Sequence, residues 1–541
     1  MIYYLSLKKE TPCKDYWDYG IIYDIFGDME YKEVNELPLC DNAIVVLPAR
    51  HHADMWEEVN RELRKVKCVI LFLMGDEEGD FPVEKLEHRS RGLWIQNPMP
   101  GRYDNIKYTK LGTGYPPHLK EFRSKDAPDK DLDWYFAGQV THSRREECVE
   151  QLKNMDGGEL VEGPSFTKGV EPKEYIEKLS RAKIAPCPSG PITPDTFRLF
   201  EALELGCLPI ADTQTPDEDW KGFWEWLLNR DHDYRRIELT TISDWSSLPG
   251  YTNELLAQYP NVNNKVQESW IKYKIWMKNL LLNQMHSLGF DMQGTNDKNV
   301  SVIIPVSPIK SHPDISIIEE TINSVRHHLP HSEIIVTFDG VREEQEHMRA
   351  DYEEHIRRVL WKASEWGITP YIFDEHVHQV GMARKVIDHV FSDFVMYVEQ
   401  DTPLVTDCAI DIDKIVELIT TGDSNLVRLH FEAMVPDEHK HLMIGEPENE
   451  FLKTVQWSQR PHIASTAFYR RLLSEQFSDK ANCFIEDLVH GKVIEDWKKD
   501  KEQGWNQWRL HIYHPEGDNI KRSYHTDGRA GAAKYDDTQT W

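Results

Sequence analysis

The sequence predicts an α/β protein in which two Rossmann-like domains with parallel sheets are followed by a third α/β domain. Three observations carry that expectation. At 541 residues the chain exceeds what one hydrophobic core serves, and size alone suggests roughly three domains. Apolar runs of strand length alternate with amphipathic runs of helix length, the pattern of a parallel sheet covered on both faces. The pattern also restarts twice after polar stretches, near residues 133 and 300.

Residues 1–125 contain the strand-like runs "MIYYLSL", "NAIVVLPA" and "CVILFLMG", with the amphipathic "HADMWEEVNRELRKV" between the last two. The charged, Pro-containing "RSKDAPDKDLD" (123–133) reads as a linker. The next domain, 133–290, opens with the strand "WYFAGQV". It continues through the helices "SRREECVEQLKN" and "EPKEYIEKLSRA", the strand "KIAPCPSG", the helix "TPDTFRLFEALELG" and the strand "CLPIAD". A helical region ending near "LLLNQMHSLGF" leads to a breaker-rich segment, 291–299, and the third domain, 300–541, begins sharply at "VSVIIPVSP". It runs on through "SEIIVTFDG", a helix around "GMARKVIDHVFSD" and the strand of "DFVMYVEQDTPLV".

Hydrophobic residues make up 40% of the chain and aromatics 11%, as expected of packed domains and not of a disordered chain. The formal charge of −29 is spread along the sequence. Such a field repels nucleic-acid phosphates, so a DNA or RNA partner needs a local basic surface. The eight cysteines are scattered, with no CxxC pair and no zinc-ligand spacing, which predicts reduced, buried thiols. "MIYYLSLKKE" is too short and too soon charged for a signal peptide, and no run of 18 apolar residues suggests a membrane span. A cytoplasmic protein is therefore expected.

Four features line up in the third domain. "VSVIIPVSP" leaves the sheet through Pro at its carboxyl edge, where open α/β sheets place ligands. "IIVTFDG" ends a strand in Asp339-Gly340, a carboxylate suited to a base or ribose beside a residue that allows close approach. In "GMARKV", Arg384 is read as opening a helix and facing a phosphate. Finally the strand Phe394–Val398 ends in Glu399-Gln400-Asp401, two carboxylates that repel unless something positive sits between them.

In this order the features resemble the nucleotide-sugar domain (GT-A type) of the inverting glycosyltransferase family that includes cellulose, chitin and hyaluronan synthases, over roughly residues 300–495. The resemblance implies that Asp339 contacts the nucleoside, and that Asp401 with Glu399 or Gln400 holds Mn²⁺ or Mg²⁺ against the donor diphosphate. Oxygen ligands suit those hard cations. This sequence departs from the family in reading Glu-Gln-Asp for Asp-x-Asp. The family's downstream "ED" pair is matched in "NCFIEDLVHG", which implies Asp487 as general base with Glu486 as the competing candidate. The tail "IKRSYHTDGR" is expected to close over the site, His525 serving as a third metal ligand and Arg522 or Lys521 reaching the phosphates.

The second domain carries its own signal. "WYFAGQVTHSRREECVEQL" followed by "PCPSG" and "RLFEALELGCLPIAD" resembles exostosin-type glycosyltransferases (GT-B type) over about residues 133–215. Arg198 and Glu201, three apart on a helix, share a face. The resemblance implies donor binding without metal, with Glu201 on the ribose, Arg198 on the diphosphate, and Gly138, Arg144 and Arg145 adding phosphate contacts. The whole chain thus reads as a two-module glycosyltransferase acting on a glycan or glycoconjugate, bifunctional where both modules are active. Two alternatives stand beside it: a phage-type enzyme that glycosylates hydroxymethylated bases in DNA, and a non-catalytic glycan-binding scaffold with a decayed site.

Overall fold

The computed structural model describes residues 1–8, 19–87, 90–103, 105–163, 170–228, 237–290, 299–430, 435, 437–515 and 520–526. The chain divides into two compact units, Met1–Gln293 and Gly294–Trp541. Most of the expected breaker segment 291–299 lies outside the described residues. No described helix is long and apolar enough to cross a membrane.

The first unit holds two parallel sheets. One contains β1 (Ile2–Leu5), β2 (Tyr31–Val34), β3 (Cys40–Pro48), β4 (Val66–Met74), β5 (Ser90–Gln96) and β6 (Thr109–Leu111), in the order β2-β1-β3-β4-β5-β6. Ala43–Pro48 and Val69–Met74 are buried without alternation, as central parallel strands require. The other contains β7 (Leu132–Gln139), β8 (Glu159–Gly163), β9 (Ala182–Cys187), β10 (Leu208–Asp212) and β11 (Thr240–Ile242), in the order β11-β10-β9-β7-β8.

The helix expected from Thr193 starts only at Phe197. Asp195 holds the preceding loop elsewhere, accepting from Thr113 N at 3.1 Å and from Asn97 Nδ2 at 3.2 Å. Those partners follow the carboxyl ends of β6 and β5, so one buried carboxylate ties the two sheets of this unit near their carboxyl edges.

The second unit is one mixed nine-stranded sheet. Its strands are β12 (Val300–Val306), β13 (Ile334–Phe338), β14 (Ile368–Ile372), β15 (Phe394–Tyr397), β16 (Leu426–Leu429), β17 (Met443–Glu448), β18 (Phe451–Thr454), β19 (His462–Ser465) and β20 (Leu510–Tyr513). The order is β14-β13-β12-β15-β19-β16-β20-β18-β17, parallel through β15 and antiparallel where β19 joins. Pro305 is tolerated in a central strand because the β12–β15 ladder stops at Ile303↔Tyr397. On one face, Ile485, Val489 and Val493 form a single helical stripe. They pack with Val380, Ala383 and Ile387 of the His378–Ile387 helix and with Val395 and Tyr397 of β15. That core seats the N-termini of two helices beside the end of β15.

The second unit also buries four neutral histidines. Burial pushes His312 down to about 2 and His355, His462 and His511 down to about 4. The unfolded chain takes up these protons near pH 6.5. Each histidine therefore stabilises the fold above that pH, and the contribution is lost on acidification toward the folded value. The loss is about 1.4 kcal/mol per pH unit for each residue. Glu399, Glu201 and Asp195, whose carboxyls burial raises to about 8, 7 and 7, gain stability over the same range and oppose this trend. The histidine contribution is therefore read by difference: the urea midpoint of His462→Gln should fall less than that of the wild type from pH 6.5 to pH 5, and an equal fall in both would contradict the assignment.

Candidate functional site

In the second unit the carboxyl edges of β12, β13 and β15 open onto a cavity of about 190 Å³. Asp339, His376, His378, Gln379, Glu399 and Asp401 line it, with Phe484 at one side. The chain turns at once after β15, Thr402 donating its N–H to Glu399 O at 3.1 Å. Gln400 is used in that turn. Its carbonyl accepts from Thr321 Oγ1 at 2.7 Å and its amide donates to Ser307 O at 3.2 Å. That leaves Glu399 and Asp401 as the acidic groups of the strand tip.

Glu399 Oε1 accepts from Gln379 Nε2 at 2.9 Å. Burial, with the charges of Asp401 and Glu486 adding to it, pushes the Glu399 carboxyl up to about 8 against the opposing pull of Arg460 and Gln379. Negative potential concentrates here, and a cation relieves it.

The tail lies along this edge. Val405 N donates to Arg522 O at 3.0 Å, Tyr524 N to Pro403 O at 3.1 Å, and Thr526 N to Asp401 O at 2.8 Å. His525 Nε2 then stands 3.4 Å from Asp401 Oδ2. Arg522 is buried, donates to Ile520 O at 2.9 Å and lies over the Tyr513 ring, so it does not line the cavity. Among the described residues no group of three or more His, Cys, Asp or Glu side chains forms a metal-holding cluster.

Asp339 lines the cavity, yet its oxygens are occupied. Oδ1 accepts from Gly340 N (2.9 Å) and Val377 N (2.8 Å); Oδ2 accepts from His378 N (3.1 Å) and meets His376 Nδ1 at 2.7 Å. The carboxylate thereby caps the His378–Ile387 helix from another strand. This cap also corrects the reading of Arg384. The helix starts six residues earlier than expected, so Arg384 falls in its last turn, where it bonds Ser478 O and Asp479 and does not line the cavity.

Glu486 and Asp487 occupy the first turn of the Ile485–Lys499 helix, as read from the sequence. Glu486 Oε2 accepts from Gln459 N at 3.1 Å, whereas Asp487 is exposed. His376, His378 and Gln379 were missed in the sequence; the signal available was "EHVHQ" at the carboxyl end of β14. His378 adopts φ 57°, a left-handed backbone costly for a residue with a Cβ. Burial keeps its imidazole below the usual range, and its Nδ1 accepts from Gln379 N at 2.8 Å.

In the first unit the basic residues after β7 have divergent fates. Arg144 is buried and bidentate on Asp212, at 2.7 and 3.2 Å, and therefore unavailable to a phosphate. Glu201 is buried against Tyr175, whose hydroxyl donates to it at 2.7 Å, and burial lifts its carboxyl to about 7. Arg198 lies over Phe136 and donates through Nη2 to Ala137 O at 2.8 Å. Its Nε and Nη1 have no partner among the described residues, nor do Arg145 Nε, both His142 nitrogens and Ser189 Oγ. A Cβ at position 138 would stand 2.4 Å from Arg198 Nη2, so Gly138 makes room for the guanidinium.

Both units are thus open α/β folds, with polar side chains gathered at the carboxyl edges of parallel strands. No family model and no curated protein matches the sequence. Among solved structures, S. aureus TarS matches at 12% identity and TM-score 0.26, over 42% of this chain and 36% of that one. A TarS 1–349 structure gives 13% and 0.26, over 42% and 60%. The mannosyltransferase PcManGT from Pyrobaculum calidifontis, in complex with GDP-Man and Mn²⁺, gives 12% and 0.26, over 47% and 70%. This chain spans less than two thirds of the length of both TarS chains. Likenesses this faint assign no activity.

The contrast between Arg144 and Arg198 is measurable. Arg144→Ala strands a buried Asp212 and should cost about 3–5 kcal/mol, seen as a clear drop in Tm. Arg198→Ala deletes a guanidinium with most of its donors idle and should change Tm far less.

Proposed function

We propose that the Gly294–Trp541 unit is an inverting glycosyltransferase that moves a sugar from a nucleotide-sugar donor to a hydroxyl of a glycan or glycoconjugate. The observation that carries this reading is that Glu399 and Asp401 line a cavity on the carboxyl edge of the sheet, with His525 standing 3.4 Å from Asp401. Two carboxylates and an imidazole are ligand types that a hard divalent cation takes, and among the described residues they do not close into a three-ligand cluster of their own. Asp401, His525 and Glu399 would hold Mn²⁺ or Mg²⁺, which when bound supplies neutralisation of the departing diphosphate.

The chain's own residues do the rest. Asp487, the exposed member of the acid pair, takes the proton from the acceptor hydroxyl. The acceptor oxygen forms its bond to the anomeric carbon as the bond from that carbon to the diphosphate oxygen breaks. The nucleoside diphosphate leaves with the electron pair. Glu486 is held by Gln459 N and shapes the field around Glu399. Asp339 fixes the loop bearing His376 and His378 against the cavity.

A second reading concerns the Met1–Gln293 unit. The idle donors of Arg198 and Arg145, with His142 and Ser189 beside them, favour binding of a phosphorylated ligand there, without metal. The chain would then carry two donor sites.

Hydrolysis of UDP- and GDP-sugars with Mn²⁺ tests the first reading. Asp401→Ala should lower turnover by about 100-fold or more. Asp487→Asn should lower transfer by about 10²–10⁴-fold. Unchanged turnover in both variants would refute the site. For the first unit, millimolar UDP should raise the Tm of the Asp401→Ala protein and fail to do so once Arg198→Ala is added.

A further inference from the structure

Phe484 is one of few large apolar side chains that stand open among the described residues, at 48% exposure, and it borders the polar cavity. Single exposed apolar side chains are ordinary; what sets Phe484 apart is its place at the rim of a polar cavity. Its setting is well defined. The ring meets His378 edge to face, with centroids 4.4 Å apart and planes at 90°. Asp487 lies three residues further on, in the first turn of the helix that follows.

The distance from this ring to the acidic strand tip is set by one side chain. Gln379, 4% exposed, donates through Nε2 to Glu399 Oε1 at 2.9 Å and accepts at Oε1 from Ile485 N, also at 2.9 Å. The backbones are joined beside it, Val380 N donating to Cys483 O at 3.3 Å. Phe484 therefore precedes a residue pinned through Gln379 to Glu399, and it borders the cavity from that anchored position.

The geometry points to Phe484 as the platform of the acceptor subsite, packing against the C–H face of a sugar ring whose hydroxyl is offered to Asp487. A pyranose has an apolar C–H face and a polar rim. An aromatic face beside carboxylates answers both requirements. This assignment rests on the transferase reading of the same cavity and names the acceptor's chemistry: a carbohydrate ring at the reacting end. Gln379 is a positioning residue in the arrangement, holding the platform and Asp487 at a constant offset from Glu399.

The full-length protein with Mn²⁺ provides the test, in two measurements. The first is hydrolysis of UDP-GlcNAc, UDP-glucose and GDP-mannose without acceptor. Phe484→Ala should lower hydrolysis by a smaller factor than it lowers transfer. The second is transfer from whichever of these donors is hydrolysed onto a printed array of defined glycans. There Phe484→Ala should lose about tenfold or more, and Phe484→Trp should restore transfer.

If Phe484→Ala slows hydrolysis as much as transfer, the ring serves the donor's base and the assignment is overturned. Undiminished transfer by Phe484→Ala overturns it, as does a wild type that hydrolyses donor but labels no glycan. If no donor is hydrolysed at all, the transferase reading fails and the acceptor platform falls with it. Because Phe484 is half exposed, its loss should leave Tm unchanged.

Discussion

Two carboxylates one residue apart at the end of a buried strand repel each other, and the surrounding architecture answers that repulsion. Glu399 receives an amide from Gln379, Gln400 is folded into the exit of β12, and the tail brings His525 to Asp401. Burial and the neighbouring Asp401 and Glu486 charges still lift the Glu399 carboxyl, against the pull of Arg460, well above that of an ordinary surface acid.

The elbow formed by residues 376–379 connects this tip to everything else in the cavity. Asp339 reaches from β13 to bind its amides, and the left-handed backbone at His378 is held there by those bonds. Gln379 then spans from β15 to the start of the Ile485–Lys499 helix. Strain at one residue and full use of both ends of one amide are the means by which three elements distant in sequence keep a common geometry.

Much of the scaffold was legible in the sequence because it is written in hydrophobic runs. β3, β4, β12 and β13 coincide with the apolar runs read as strands, and the acid pair at 486–487 does sit in a helical first turn. What escaped was fixed by partners far along the chain. Arg384 was placed at the wrong end of its helix because the true start is set by a carboxylate on β13. Arg144 and Arg145 are neighbours in sequence, yet Asp212 of β10 neutralises only the first. Phe484 could not be recognised as exposed without knowing what failed to cover it. Helix periodicity reports which side chains share a face, not which of them finds a partner.

The tail segment has a consequence for the life of the molecule. Asp401 follows a strand of a sheet whose remaining strands are interleaved from residues 426 to 513, and His525 joins it across more than a hundred intervening positions. The contact can therefore close only after the strands at 426–513 have been made, and a polypeptide halted before position 520 would lack the imidazole beside Asp401.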